Sequence, residues 1–178
     1  MDEAPDEARD EPQGEPQGEP QGEPQDEVRS AAFADLDALT AYRLWALRSD
    51  VFVVEQDCPY LDLDGRDLEP GTRHLWLERG GVPVATLRVL DDPGADGGAL
   101  RIGRVATARA WRGRGFAARL VSAVLEGTAL EGVRERDVVL DAQSHLVDWY
   151  AAFGFAPSGR GFVEDGIPHT PMRRPSGG

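Results

Sequence analysis

Ile102-Gly103-Arg104-Val105-Ala106-Thr107, then Ala108-Arg109-Ala110-Trp111, then Arg112-Gly113-Arg114-Gly115-Phe116-Ala117 follow one another without a break. Leu100–Thr107 has the apolar and β-branched content of a strand. Phe116–Glu126 carries Leu120, Val124 and Leu125 at the spacing of an amphipathic helix. Between them lies a turn with two glycines. A strand that runs through a Gly-rich turn into a helix presents free main-chain N–H groups at the helix N-terminus, where the dipole also favours an anion. Gly113 and Gly115 keep a Cβ out of the way of a bulky phosphate. Arg112 and Arg114 add positive charge. The chemistry of this turn is that of a diphosphate cradle. The pattern alone is common in a chain so rich in Arg, Gly and Ala, and its strand–turn–helix setting gives it meaning.

Outward from this stretch the elements alternate. On its N-terminal side, His74–Glu78 and Val82–Leu90 predict a hairpin joined through Arg79-Gly80-Gly81, and Asp91–Gly98 predicts a loop. On its C-terminal side come a buried strand at Asp137–Leu140 and a helix at Ser144–Phe153 that stops at Gly154. One or two short strands are expected in Gly161–Arg174. Near the start, residues 35–49 place Leu36, Leu39, Tyr42, Leu44, Trp45 and Leu47 at near-helical spacing, with Asp35 as the expected N-cap. Val51-Phe52-Val53-Val54 reads as either an extended run or a helix end, and residues 57–72, rich in Asp, Pro and Gly, as a loop. Strands followed by strand–helix–strand–helix–strand give one mixed α/β domain around a single sheet.

The chain has 178 residues, enough for one domain with a real core. Residues 11–22 repeat Glu-Pro-Gln-Gly three times without an apolar side chain. Such a segment cannot bury enough surface to offset the entropy of ordering. Residues 1–31 are therefore expected to be a disordered acidic tail, 32–174 the folded domain, and 175–178 a flexible end. Two Arg against eleven acids in residues 1–30 put −9 of the net −13 in that tail, leaving −4 for the rest. A domain of that charge lacks the basic face that nucleic-acid binding needs, and it suits a cationic acceptor. All 19 basic residues are Arg, which reads as compositional bias. Cys58 is the only cysteine, so no internal disulfide can form. No apolar run is long enough to span a membrane and no signal-like segment opens the chain, so a cytoplasmic protein is expected.

Here a resemblance becomes definite. Val105–Ala117 resembles motif A of the GNAT superfamily of N-acetyltransferases, in which an Arg/Gln-x-x-Gly-x-Gly/Ala turn binds the coenzyme A pyrophosphate. Gln143 followed by Tyr150-Ala151-Ala152-Phe153-Gly154-Phe155 resembles their motif B, commonly Asn-x6-Tyr-x3-Gly-Phe. Leu47–Gln56, Cys58-Pro59-Tyr60, Thr72-Arg73-His74-Leu75 and Glu164-Asp165-Gly166-Ile167-Pro168-His169 look like the ElaA-type subfamily. Gln143 and Ala117 depart from the commonest motif residues, within the tolerated range. The resemblance spans about residues 33–174. It implies a sheet splayed between the strand near Ile102–Thr107 and the strand near Asp137–Leu140, with acetyl-CoA in the gap. Main-chain groups of Val105, Ala106 and Thr107 would meet the pantetheine arm. The amides of Arg112, Gly113, Arg114, Gly115, Phe116 and Ala117 would hold the pyrophosphate, with Gln143 also in the site. No metal is implied.

Tyr150 is expected as the general acid, since a phenol is a fair match to a departing thiolate. Glu55, at the end of an apolar run, and His74, at a strand start, are the candidate general bases, and His145 is a weaker one. Asp62-Leu63-Asp64-Gly65-Arg66-Asp67 breaks the EF-hand order and is not a metal loop, although its acids could attract a cationic acceptor. Cys58 has no activating neighbour in sequence and is not a nucleophile. The expected activity is acetyl transfer from acetyl-CoA to a small-molecule, peptide or protein amine by direct attack on the thioester, with a homodimer allowed. The alternatives are a non-catalytic acyl-CoA sensor of the same fold and an acyl-homoserine-lactone synthase.

Overall fold

The computed structural model describes residues 27–92, 98–130 and 132–177. Most of the expected acidic tail lies outside them. Strand β1 (Arg29–Ala31) opens the sheet within the span that the sequence assigned to the tail, so the folded part begins before Ala32. Helix α1 (Ala38–Arg48) follows. Its cap is Asp37, whose carboxylate accepts from the amides of Leu39 and Thr40 at 2.9 Å. The expected cap, Asp35, belongs to the preceding 3-10 turn. Only part of the expected apolar stripe is buried: Leu44 and Leu47 face the core, whereas Leu39 and Tyr42 are exposed. Ser49–Glu55 continues α1 as a wider π-type helix, which makes Val51–Val54 a helix end.

Strands β2 (Arg73–Arg79) and β3 (Val82–Asp92) form the expected hairpin. Gly80 and Gly81, at φ 57° and 73°, turn the chain in the left-handed region that a two-residue hairpin loop requires. Then come β4 (Ala99–Thr107), α2 (Phe116–Leu125), β5 (Val138–Gln143), α3 (Val147–Ala151), β6 (Ala156–Pro157), β7 (Phe162–Glu164) and β8 (Ile167–Arg174). The expected helix over Ser144–Phe153 is split: residues Ser144–Leu146 wind as 3-10 before α3. The sheet order is β1-β2-β3-β4-β5-β8-β6, with β7 also on β8. Among the described residues only the β4–β5 pair is parallel, so the sheet is mixed.

The period of two along the central strands sorts side chains onto opposite faces. Leu75 pairs with Leu87, and Leu77 with Ala85. These join Val89, Ile102, Phe116, Leu120 and Val124 in one apolar core beneath α2. The other face carries His74 opposite Arg88 and Trp76 opposite Thr86. That face is closed by α1 and by the loop at 57–72, and its fastening is electrostatic. Arg48, buried at 2% exposure, donates from Nε to Asp62 at 2.9 Å and from Nη1 to Asp67 at 2.7 Å. Arg88 of β3 makes a two-pronged pair with Asp64 at 2.7 and 2.8 Å and reaches Asp67 at 3.0 Å. Arg104 of β4 meets Asp62 at 2.8 Å and Asp64 at 3.2 Å. Asp62, Asp64 and Asp67 are thus taken up by three arginines from α1, β3 and β4. This corrects the expectation that they could attract a cationic acceptor.

Breaking such a network from one side strands a buried charge, which costs about 3–5 kcal/mol. Arg48→Met, similar in length but uncharged, should therefore lose about that much stability in urea denaturation. A change below about 1 kcal/mol would mean that the network contributes little to holding the loop.

Candidate active site

Strands β4 and β5 are neighbours at Leu100/Val138 and Arg101/Val139 only, and then they part. Arg101 marks the apex: it donates to Asp92 at 2.7 Å and to Asp141 of β5 at 2.6 Å. Just beyond it β4 bulges. Thr86 pairs with Ala106 and Arg88 with Gly103, so Arg104 and Val105 together oppose Leu87. Arg104 sits at φ 52°, a left-handed conformation that costs a side-chain-bearing residue about 1–2 kcal/mol. Its ion pairs with Asp62 and Asp64, and its position 5.2 Å over the Tyr60 ring, offset that cost.

The parting leaves a cleft of about 640 Å³ lined by Ile102–Val105 of β4, Leu140 and Gln143 of β5, and Tyr150. Along it, the edge of β4 from Ile102 to Thr107 that faces β5 has no strand partner among the described residues. Main-chain N–H and C=O groups in such a position need a partner, from water or from a ligand with amides of its own.

At the far end of β4 comes the glycine turn. Gly113 and Gly115 stand at φ 73° and 76°, and Gly115 is the N-cap of α2. No side chain among the described residues caps that helix, so its first amides are not taken by one. A Cβ at either glycine would meet nothing within 4 Å, so the space before the turn is open. Arg114 stacks 4.7 Å over Trp111. An extended ligand with amides in its middle and a diphosphate at one end fits this arrangement: a free strand edge in line with an uncapped helix N-terminus.

Among the expected residues, Val105, Gln143 and Tyr150 line the cleft, whereas Ala106 is buried against Leu47 and Val51. Gln143 donates to Gln56 at 3.3 Å. Tyr150, 6% exposed, is wedged edge-on between Trp149 and Phe155, at ring distances of 4.7 and 5.9 Å. Its hydroxyl has no protein partner among the described residues. Burial pushes this phenol up to about 12, so it keeps its proton throughout the working pH range.

Neither expected base reaches the cleft lining. Glu55 is gripped by Arg112 at 2.6 and 2.9 Å. Those hydrogen bonds hold its carboxyl below the usual carboxylate range, which makes it a poor base. Since Arg112 also donates to the Thr107 carbonyl at 3.0 Å, Glu55 acts as an anchor for the glycine turn. His74 is buried on the far side of β3, with Nε2 3.5 Å from the Asp67 carbonyl. Gln56, Tyr60, Glu164, Asp165 and His169, none of them expected in the site, also line the cleft. The last three sit on the β7–β8 hairpin. Its signal was Asp165-Gly166 between Phe162-Val163-Glu164 and Ile167, a hairpin pattern.

A sheet splayed at a bulge, beside a glycine turn that opens a helix, is the architecture of an acyl-CoA N-acyltransferase. The family described as acetyltransferase (GNAT) domain matches residues 53–175. Protein ElaA of Escherichia coli is 41% identical over 143 residues, covering 79% of this chain and 91% of its own length. A UPF0039 protein of Mycobacterium tuberculosis is 47% identical over 145 residues, covering 81% and 90%. Among solved structures, an acyl-CoA N-acyltransferase from Pseudomonas aeruginosa superposes with a TM-score of 0.77 at 39% identity, over 83% of this chain and 98% of that one. The crystal structure of Escherichia coli ElaA gives 0.76 at 37% identity, with the same coverage. This chain belongs to the GNAT family of acetyltransferases and stands with its ElaA-type members. No helix among the described residues is long and apolar enough to cross a membrane.

The electrostatics behind the cleft give the fold a pH signature. Burial works against the charged form of His74 and takes it below its ordinary 6.5, despite the nearby Asp67. As the pH falls through 6.5, the unfolded chain gains a proton that the folded chain refuses, and stability drops. Burial would raise Asp64, but the hydrogen bonds and charge of Arg88, with Arg104 behind them, outweigh it and hold the carboxyl at about 2. Its stabilisation is present above the ordinary 3.8 and is lost as the pH falls towards 2. Urea midpoints should therefore decline in two steps on acidification, and His74→Gln should flatten only the upper one. An unchanged upper step in the variant would show that His74 does not carry it.

Proposed function

We propose that this chain is an N-acetyltransferase that passes an acetyl group from acetyl-CoA to a primary amine. The observation that carries the reading is the unpaired β4 edge running into the uncapped N-terminus of α2. Coenzyme A has that shape, with two amides in its pantetheine arm and a diphosphate at its end. Val105 and Thr107 would meet the arm through their main chains, as two amides of a strand would. The amides of Gly113–Ala117 would hold the pyrophosphate. Arg114 would supply positive charge, while Arg112, already paired with Glu55, would hold the turn in place. The buried Ala106 side chain would face away from the arm, leaving its main chain available.

Acetyl-CoA supplies an acyl group already activated as a thioester. The chain's own task is to hold that group, orient an amine and move two protons. Tyr150 stands where β4 and β5 have parted, fixed by its aromatic neighbours, with its proton retained by burial and its hydroxyl free of protein partners. Those properties suit a donor to the departing sulfur. Much of the rate enhancement would come from positioning, because the reacting groups are brought together in a cleft with few degrees of freedom left.

Gly115→Val puts a branched side chain in the turn and strains φ 76°. Acetyl-CoA affinity by calorimetry should fall by at least about tenfold, alongside a drop of a few degrees in the melting temperature of the free protein from the strained φ. Unchanged affinity would remove the turn from the binding site. Tyr150→Phe should keep that affinity and lower the rate of thiol release in an amine-fed assay by about 10²–10⁴. Full turnover in Tyr150→Phe would return this residue to the core. Tight acetyl-CoA binding with no thiol release across an amine panel would favour a sensor over a transferase.

A further inference from the structure

With Glu55 engaged by Arg112 and His74 walled off behind β3, the cleft needs another group to take the proton from an incoming ammonium. His169 lies on β8, directly opposite Gln143 of β5 on one side and Phe162 of β7 on the other. Its ring is stacked on Phe162, 5.6 Å between centroids and 18° from parallel, which fixes its plane. Its Nδ1 lies 2.9 Å from the Ile167 carbonyl oxygen. A carbonyl only accepts, so Nδ1 must carry the hydrogen. In the neutral ring Nε2 then holds the lone pair, and it has no protein partner among the described residues. His169 lines the same cleft as Tyr150, and the other two histidines do not.

We propose that His169 is the general base of the acetyl transfer, an inference that rests on the transferase reading above. Nε2 takes a proton from the acceptor's ammonium, R–NH3+, and becomes imidazolium. The freed nitrogen lone pair forms the N–C bond to the acetyl carbonyl carbon as the C–S bond breaks and its electron pair leaves on sulfur. Tyr150 gives its proton to that sulfur and recovers one from the nitrogen, which ends as the neutral amide. His169 returns its proton to solvent, so one proton is released per acetyl group transferred. The surroundings favour a cationic acceptor. Glu164 and Asp165, which flank the turn leading to β8, line the cleft with no cationic partner among the described residues. Arg101 and Arg88, in contrast, are neutralised by Asp92, Asp141, Asp64 and Asp67.

The test uses the full chain and two nucleophiles at about pH 8, where ethylamine is protonated and hydroxylamine is not. His169→Gln keeps a planar polar side chain but cannot take up the proton. The expected result is a loss of about 10²–10³ in kcat/KM for ethylamine, read as thiol release from acetyl-CoA, with hydroxylamine changed by less than about threefold. Equal losses with both nucleophiles, or none with ethylamine, would overturn the assignment. Long-range nitrogen–proton NMR gives a readout free of activity: His169, identified by its absence in the variant, should show the Nδ1–H tautomer. An Nε2–H tautomer would also overturn it. Tight acetyl-CoA binding by the wild type without thiol release to either nucleophile would instead sink the transferase reading, and the base with it.

Discussion

Strands β4 and β5 share two residue pairs and then separate, and most of what the molecule can do follows from that separation. A parallel pair that stayed together would satisfy its main-chain groups and leave no room between the strands. Here the bulge at Arg104–Val105 curls β4 away, and the free edge that results faces a cleft of about 640 Å³. The bulge holds Arg104 in a conformation its side chain disfavours, and so it needs a fastening. The fastening is the arginine–aspartate network. Asp62 and Asp64, which receive Arg104, also receive Arg48 and Arg88. One set of charges therefore closes the loop over the sheet and secures the residue that opens it.

The glycine turn depends on a second, smaller fastening. Arg112 spans from Thr107 at the end of β4 to Glu55 at the end of the π-type helix. The N-terminal helical arm and the turn are thereby set relative to each other. This pair is partly exposed, so salt will weaken it more than the buried network. The two fastenings divide the labour: the buried one sets the shape of the cleft, and the exposed one sets the position of its entrance.

Much of this was legible in the sequence, for identifiable reasons. Strand, turn and helix from Leu100 to Leu125 announce themselves through apolar periodicity and paired glycines, because those signals are local. The β2–β3 hairpin was readable from Gly80-Gly81 for the same reason. Asp35 and Asp37 are both good caps two residues apart, and only packing chooses between them. The three residues of β1 carry no pattern of their own, and their pairing with β2 is a long-range event. The charges were the least readable part. Glu55 at the edge of an apolar run looks like a shielded base until Arg112, distant in sequence, is found against it. Asp62, Asp64 and Asp67 look like a solvated acidic loop until three arginines from other elements converge on them. Short motifs reveal backbone geometry, whereas the partner of a charge depends on the fold.

In this reading the parted edge of β4 and the first turn of α2 would form one continuous binding surface for an acyl-CoA. Amide hydrogen exchange, followed with and without acetyl-CoA, tests it directly, because it reads the main-chain groups themselves. Added acetyl-CoA should slow exchange in two stretches together, Ile102–Thr107 and Gly113–Ala117, and leave β1 and β2 unaffected. Protection confined to some other surface, or protection in neither stretch at saturating acetyl-CoA, would contradict it.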